Sequence, residues 1–224
     1  MSLALEVEPV GLRLREPAGA AEGALILNHG RASDENDLFG MLDAVDPERR
    51  LLGLTTRGPI GGLPPGGRHW YAVERVGYPE PESFAIGYGA LTSALDGLLA
   101  ERGIDWSRTV VGGFSQGTVM SYATGLGTER PAPAAILALS GFIPTVDGWT
   151  PDVGSRSTGT RVFIHHGTSD QVIEVGFARR ARETLRAGGI EPDYRETPAG
   201  HWLPPEIVPE IARFVSAAVP AAGA

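Results

Sequence analysis

The sequence contains no cysteine and no lysine; all 19 basic residues among its 224 are arginine. The first absence excludes disulfides, a thiolate nucleophile, iron–sulfur clusters and cysteine-type zinc sites. The second excludes Schiff-base chemistry and the lysines of P-loop and kinase sites. Covalent chemistry is left to Ser, Thr, Asp, Glu, His or Tyr. Positive charge is also short. With 27 acidic residues the net charge is −8, which argues against a nucleic-acid partner. No apolar run approaches the about 18 residues of a membrane span. The start, Met1-Ser2-Leu3-Ala4-Leu5-Glu6, lacks a basic region and meets an acid early. No secretory signal is expected, and the reading is a cytoplasmic protein.

What is present suits one domain over 1–224. Residues 3–7 and 10–14 alternate apolar and polar, as antiparallel edge strands do. Continuous apolar runs at 24–27, 51–55, 109–114, 134–139 and 162–164 suit strands of a sheet covered on both faces. Helical spacing appears between them. Asp34 is expected to cap a helix to about 44, and Ser83 a longer one through Leu99. Further helices are expected at 116–126, 174–187 and 205–219, the fourth stopped by Gly188-Gly189. This alternation predicts an α/β fold: a mostly parallel twisted sheet, an antiparallel N-terminal edge and helices on both faces. The Ala-rich last few residues are expected to fray. From Arg57 to Glu82 no periodicity is visible, and eleven residues are Gly or Pro. A loop this long is usually functional or disordered. His69-Trp70-Tyr71 in its middle either pins it to the body or walls a pocket.

Gly113-Phe114-Ser115-Gln116-Gly117 fits G-x-S-x-G. The pattern alone is weak, but an apolar strand enters it and an amphipathic helix leaves, the setting of a nucleophile elbow. Such a turn strains the Ser backbone and lifts its hydroxyl out of the sheet, while the two glycines avoid a collision across it. The following helix N-terminus favours developing negative charge. An alcohol needs a base, and with an elbow the chain order is Ser, acid, His. Only His165, His166 and His201 follow Ser115. His201 lies between the last strand and last helix, where the base belongs, and Asp170 lies in the loop where the acid belongs. Asp147, Asp152 and Asp193 are rivals, less well placed than Asp170. Backbone N–H groups of Gln116 and of Arg31, in the loop after an early strand, are the candidate oxyanion donors. His29 in that loop reads as structural. Trp70, Tyr71, Phe142, Ile143, Trp149, Trp202 and Leu203 are candidate pocket residues, of which about half are equally explained as plain packing. Arg31 and Arg68 are local basic exceptions to the negative charge.

Taken together, LNHGRASDEND (27–37), RGPIGGLPPGGRHWY (57–71), GGFSQGTVMSYATGL (112–126), LSGFIP (139–144), HHGTSDQVI (165–173) and AGHWLPPE (199–206) resemble the phospholipase/carboxylesterase family of α/β-hydrolases. That family includes acyl-protein thioesterases and small bacterial carboxylesterases. The resemblance covers nearly the whole chain. It implies the α/β-hydrolase fold and a serine esterase or thioesterase that uses no cofactor and no metal. Ser115, Asp170 and His201 fall on its triad positions, and Arg31 and Gln116 on its oxyanion positions. Two residues depart from the family pattern: Ala32 and Thr118 stand where glycine is usual, which bears on the substrate rather than the reaction. The expected substrate is a small acyl ester or thioester. Hydrolysis of another acyl bond (peptide or polyester) and a non-catalytic binding protein of the same fold are the alternatives. Monomer and homodimer both stay open.

Overall fold

A computed structural model describes residues 5–128 and 130–221. In chain order the strands and helices are β1 (Glu6–Val7), β2 (Gly11–Arg15), β3 (Ala24–Asn28), α1 (Phe39–Val45), β4 (Leu52–Arg57), β5 (Ile60–Gly61), β6 (Val73–Arg75), β7 (Tyr78–Pro79) and α2 (Pro81–Arg102). There follow β8 (Thr109–Phe114), α3 (Gln116–Leu126), β9 (Ala135–Leu139), α4 (Val153–Arg156), β10 (Arg161–Gly167), α5 (Gly176–Ala187), β11 (Asp193–Thr197) and α6 (Val208–Ala218). Seven strands form the main sheet in the order β11-β10-β9-β8-β3-β4-β2, with only β2 antiparallel to its neighbour.

Successive strand side chains point to opposite faces, so the continuous apolar runs serve two cores. Ile26, Val111, Ile136 and Ile164 face α2, α3 and α5, whose Leu91, Met120 and Leu185 complete one core. Leu25, Val110, Leu137 and Phe163 face α1 and α6, whose Leu42, Ile211 and Phe214 complete the other. Full burial of each such side chain is worth about 1.5–3 kcal/mol. The chain builds outward from β3 in one direction and from β8 in the other. The reversal lies between these two strands, the switch point where open α/β sheets bind ligands.

Several local expectations change. Asp34 caps no helix: its Oδ1 accepts the Asn36 N–H at 2.8 Å in a turn of its own, and α1 starts later, at Phe39. A short Asp side chain readily prefers this local bond. Ser83 is not the cap of α2. The Glu80 carboxylate accepts the Glu82 and Ser83 N–H groups, and Pro81 occupies the first helical position that suits its ring. Ser83 instead sits in the first turn and accepts the Ala72 N–H at 2.9 Å. Of the 3–7 strand, Glu6–Val7 pairs with β5 in a separate two-stranded sheet, and residues 3 and 4 lie outside the described residues. So do residues 222–224, where fraying was expected. The 57–82 stretch is not structureless. It holds β5 and the β6–β7 hairpin, elements of two or three residues, too short to show a period.

Candidate active site

The loop after β3 is held by buried polar side chains. Asn28 accepts from Thr56 Oγ1 at 2.7 Å and donates to Ser121 Oγ at 3.0 Å, tying β3 to β4 and α3. His29 Nε2 accepts the Gly58 N–H at 2.9 Å, so its proton sits on Nδ1, which donates to the Gly30 carbonyl. Burial pushes the His29 pKa down and keeps the ring neutral. Its role is structural. Trp70, fully buried, donates from Nε1 to the His29 carbonyl at 2.9 Å.

Across the switch point, β8 ends at Phe114 and α3 begins at Gln116. Ser115 between them has φ 54 and ψ −117, the strained conformation of a sharp strand-to-helix turn. A Cβ on Gly113 would come within 2.5 Å of the Gly117 carbonyl carbon, and one on Gly117 would run into the Asn28 carbonyl. Only glycine fits at either position.

His201 Nε2 lies 3.0 Å from Ser115 Oγ, and its Nδ1 lies 2.7 Å from Asp170 Oδ2. The other Asp170 oxygen accepts the Val172 and Ile173 N–H groups, each at 2.9 Å. Burial raises the Asp170 pKa, but the bonds from His201 and these two amides outweigh it and hold the carboxyl below its ordinary value. The loops carrying Asp170 and His201 are zipped together. Thr168 and Ser169 donate their amides to the Thr197 and Ala199 carbonyls at 2.7 and 3.0 Å. His166, fully buried, donates from Nε2 to the Ile173 carbonyl at 2.7 Å, bracing the turn that holds Asp170. The rival acids lie elsewhere. Asp152 accepts the Ser155 N–H at the start of α4, Asp193 lies 3.4 Å from Arg161, and Asp147 is exposed.

Ser115 and His201 open into a cavity of about 290 Å³. Gly30, Arg31 and Gln116 line it beside the serine. The amide of Gln116 belongs to the first turn of α3, where N–H groups lack helical acceptors. Of the expected pocket residues, Tyr71 and Phe142 line this cavity. Trp70 lies in the core beneath it. Ile143 and Trp149 line a separate cavity, Trp202 is 53% exposed, and Leu203 packs toward α1 and α6. The hairpin residues Val73 and Val76 and the acid-loop residues Val172 and Ile173 complete the wall and were not anticipated. Their one sequence signal is adjacency: Val172 and Ile173 follow Asp170 directly in the turn that reaches His201. Of the two arginines singled out, Arg31 borders the cavity, whereas Arg68 is ion-paired to Glu8. Arg75 also borders the cavity.

The model of the phospholipase/carboxylesterase family matches residues 12–219. The chain belongs to the phospholipase/carboxylesterase family, and it is a hydrolase. An acyl-protein thioesterase 1 of Debaryomyces hansenii is 24% identical over 199 residues, covering 80% of this chain and 83% of the relative. The Yarrowia lipolytica acyl-protein thioesterase 1 is 31% identical over 119 residues, covering 52% of each. Among solved structures, a Bacillus cereus carboxylesterase superposes with a TM-score of 0.78 at 20% identity, covering 93% of this chain and 94% of that one. The likeness extends to Zea mays acyl-protein thioesterase 2, with a TM-score of 0.71 at 19% identity, covering 93% and 99%. These superpositions show the α/β-hydrolase fold.

Within this family member the two departures have visible consequences. Ala32 sits at φ 63, a left-handed conformation that favours glycine. Thr118 is buried, and its hydroxyl lies 2.6 Å from both the Gly113 and Leu139 carbonyls while accepting the Leu139 N–H at 2.9 Å. The Leu139 carbonyl also accepts the Ser115 N–H at 3.0 Å. Thr118 therefore knits the elbow to β8 and β9. Glycine there would leave these strand ends to other partners.

Proposed function

We propose that this hydrolase cleaves carboxylic esters and thioesters through an acyl-enzyme on Ser115. The reading is carried by the unbroken hydrogen-bond chain Ser115–His201–Asp170 at the floor of a largely apolar cavity. His201 Nε2 takes the Ser115 proton as Oγ attacks the acyl carbon. Asp170 accepts the Nδ1–H of the same ring, orients it and stabilises the imidazolium that forms. The backbone N–H groups of Gln116 and Arg31 receive the oxyanion. Such donors are worth roughly 3 kcal/mol each when aimed at the transition-state oxygen. As the intermediate collapses, the bond to the leaving alcohol or thiol breaks, and that group takes the proton from His201. Water, giving its proton to the same nitrogen, attacks the acyl-serine; the acyl–Oγ bond then breaks, Ser115 Oγ takes the proton back from His201, and the acid leaves. The thioester half of the reading draws on the relatives named as acyl-protein thioesterases.

The deciding experiment pairs p-nitrophenyl butyrate hydrolysis with fluorophosphonate labelling. Wild type should turn over and label at Ser115, and Ser115→Ala should lose both while retaining its circular dichroism spectrum. Hydrolysis that survives Ser115→Ala, or labelling at another residue, would overturn the assignment. A matched set of ester, thioester and amide substrates then ranks the bonds cleaved, with amides expected last.

A further inference from the structure

A second cavity, of about 440 Å³, adjoins the catalytic one at Phe142. Ile143, Val146, Trp149 and Phe177 supply its apolar wall, and the exposed Arg180 and Thr184 border it. Phe142 lines both cavities. The β6–β7 hairpin spans both as well. Val73 and Val76 line the catalytic cavity, and Gly77 and Tyr78 line the second.

We infer that the Phe142 ring is the end wall of the acyl site and closes it off from the second cavity. Residue 142 thereby sets the acyl length that this enzyme prefers. The inference rests on the serine-hydrolase reading above and adds its substrate class: acyl groups short enough to end at Phe142, with longer chains admitted when the ring is removed.

The backbone at this point is fixed. A Cβ on Gly141 would meet the Thr118 side chain and approach the Ser115 carbonyl oxygen at 2.9 Å, so the chain before Phe142 is locked against the elbow. The boundary between the cavities is therefore the ring itself. It packs against Phe177 with centroids 5.3 Å apart and planes tilted by 42°. Phe177 in turn backs onto Gly77, where a Cβ would come within 2.5 Å of the ring. The roof over the boundary is thus held down by the same aromatic pair that forms the boundary. Phe142 is only 5% exposed although it lines both cavities. Truncating that ring joins the two spaces into one channel leading away from Ser115, with Ile143, Val146, Trp149 and Phe177 as the apolar side of its far half. Each further methylene buried there is worth about fourfold in kcat/KM.

The test is a series of p-nitrophenyl esters from C2 to C12, run on the full chain. The parent should peak at C8 or shorter. Phe142→Ala should move the peak by at least four carbons and raise the C12:C4 ratio of kcat/KM at least tenfold. Phe142→Leu, a milder truncation with less risk to folding, should move it the same way by less. Adding Val146→Trp to Phe142→Ala refills the second cavity and should return the ratio toward that of the parent. A parent that already favours C12 over C4 overturns the inference. So does an unchanged profile in Phe142→Ala or, if that variant does not fold, in Phe142→Leu. In each of these cases, C4 hydrolysis that still depends on Ser115 leaves the serine-hydrolase reading standing. Hydrolysis that survives Ser115→Ala overturns that reading instead.

Discussion

The Trp70 backbone N–H donates to Oε1 of Gln116 at 3.0 Å, and the same carboxamide donates from Nε2 to the Tyr71 carbonyl at 2.9 Å. The residue after the elbow serine thus carries the long loop on its side chain. Both bonds are buried, and removing the carboxamide strands a donor and an acceptor. Gln116→Ala should cost about 2 kcal/mol of stability. Because Tyr71 lines the cavity, KM for a short-chain ester should also rise several-fold. Chemical denaturation and steady-state kinetics would check this. Unchanged stability and KM would mean that the loop is held by other contacts.

Asp170→Asn should lower kcat by about 10⁴-fold with little change in fold, since an amide can donate to His201 Nδ1 and select the wrong tautomer. The wild-type carboxyl is held below its ordinary 3.8, so it is ionised throughout the neutral range. Its titration should leave no inflection in the rate–pH profile above that value. A profile measured from pH 4.5 to 9 on wild type and variant would test both statements.

His165 is fully buried, with Nε2 lying 2.9 Å from Thr197 Oγ1. Burial, then the neighbouring His166, pushes its pKa down from 6.5 to about 4. The unfolded chain therefore binds this proton at a higher pH than the folded one does. Stability from the neutral ring is complete above 6.5 and is lost as pH falls toward 4. His29, His69 and His166 are shifted in the same direction, chiefly by burial, and share the slope. Melting temperature should decline across this interval, and His165→Gln, which can still bond Thr197, should flatten the decline. A melting temperature constant from pH 7 to 4.5 would contradict it.

Ala32→Gly should stabilise the protein. An L-residue in the left-handed region costs about 1–2 kcal/mol, and glycine gives back about 0.4–1 kcal/mol through its freer unfolded chain. The Ala32 N–H keeps its bond to the Arg68 carbonyl, so the net gain should be up to about 1.6 kcal/mol. Each kcal/mol corresponds to about 2–4 °C by calorimetry. A lower melting temperature would show that the Ala32 methyl contributes packing that outweighs its backbone strain.

Much of the candidate site was legible because its parts are local. Gly113-Phe114-Ser115-Gln116-Gly117 announces a turn by its own glycines, and Asp170 and His201 lie in loops whose order along the chain restricts the choice. The pocket wall was less legible. Trp70 and Tyr71 are neighbours of similar chemistry, yet one is buried beneath the cavity and the other lines it. Composition does not distinguish them, because the bond from Trp70 Nε1 to the His29 carbonyl, which holds the first ring down, spans 41 residues. The helix starts were missed for a different reason. Asp34 and Ser83 are both good capping residues, but Asp34 closes a turn of its own and the Glu80 carboxylate reached the first turn of α2 ahead of Ser83.

By itself the sequence determined the main-sheet strands, the longer helices and their alternation, since their periods are written in the chain. It also determined the chemical inventory: with no thiol and no lysine amine, a nucleophile had to come from a hydroxyl, carboxyl or imidazole. The tertiary structure alone decided which groups meet. Ser115, Asp170 and His201 converge because β8, β10 and β11 are parallel in one sheet and end on the same edge. Phe142 lines two cavities because the loop after β9, the β6–β7 hairpin and α5 come together there. Such convergence depends on contacts between residues far apart in the chain, and local periodicity carries no record of those distances.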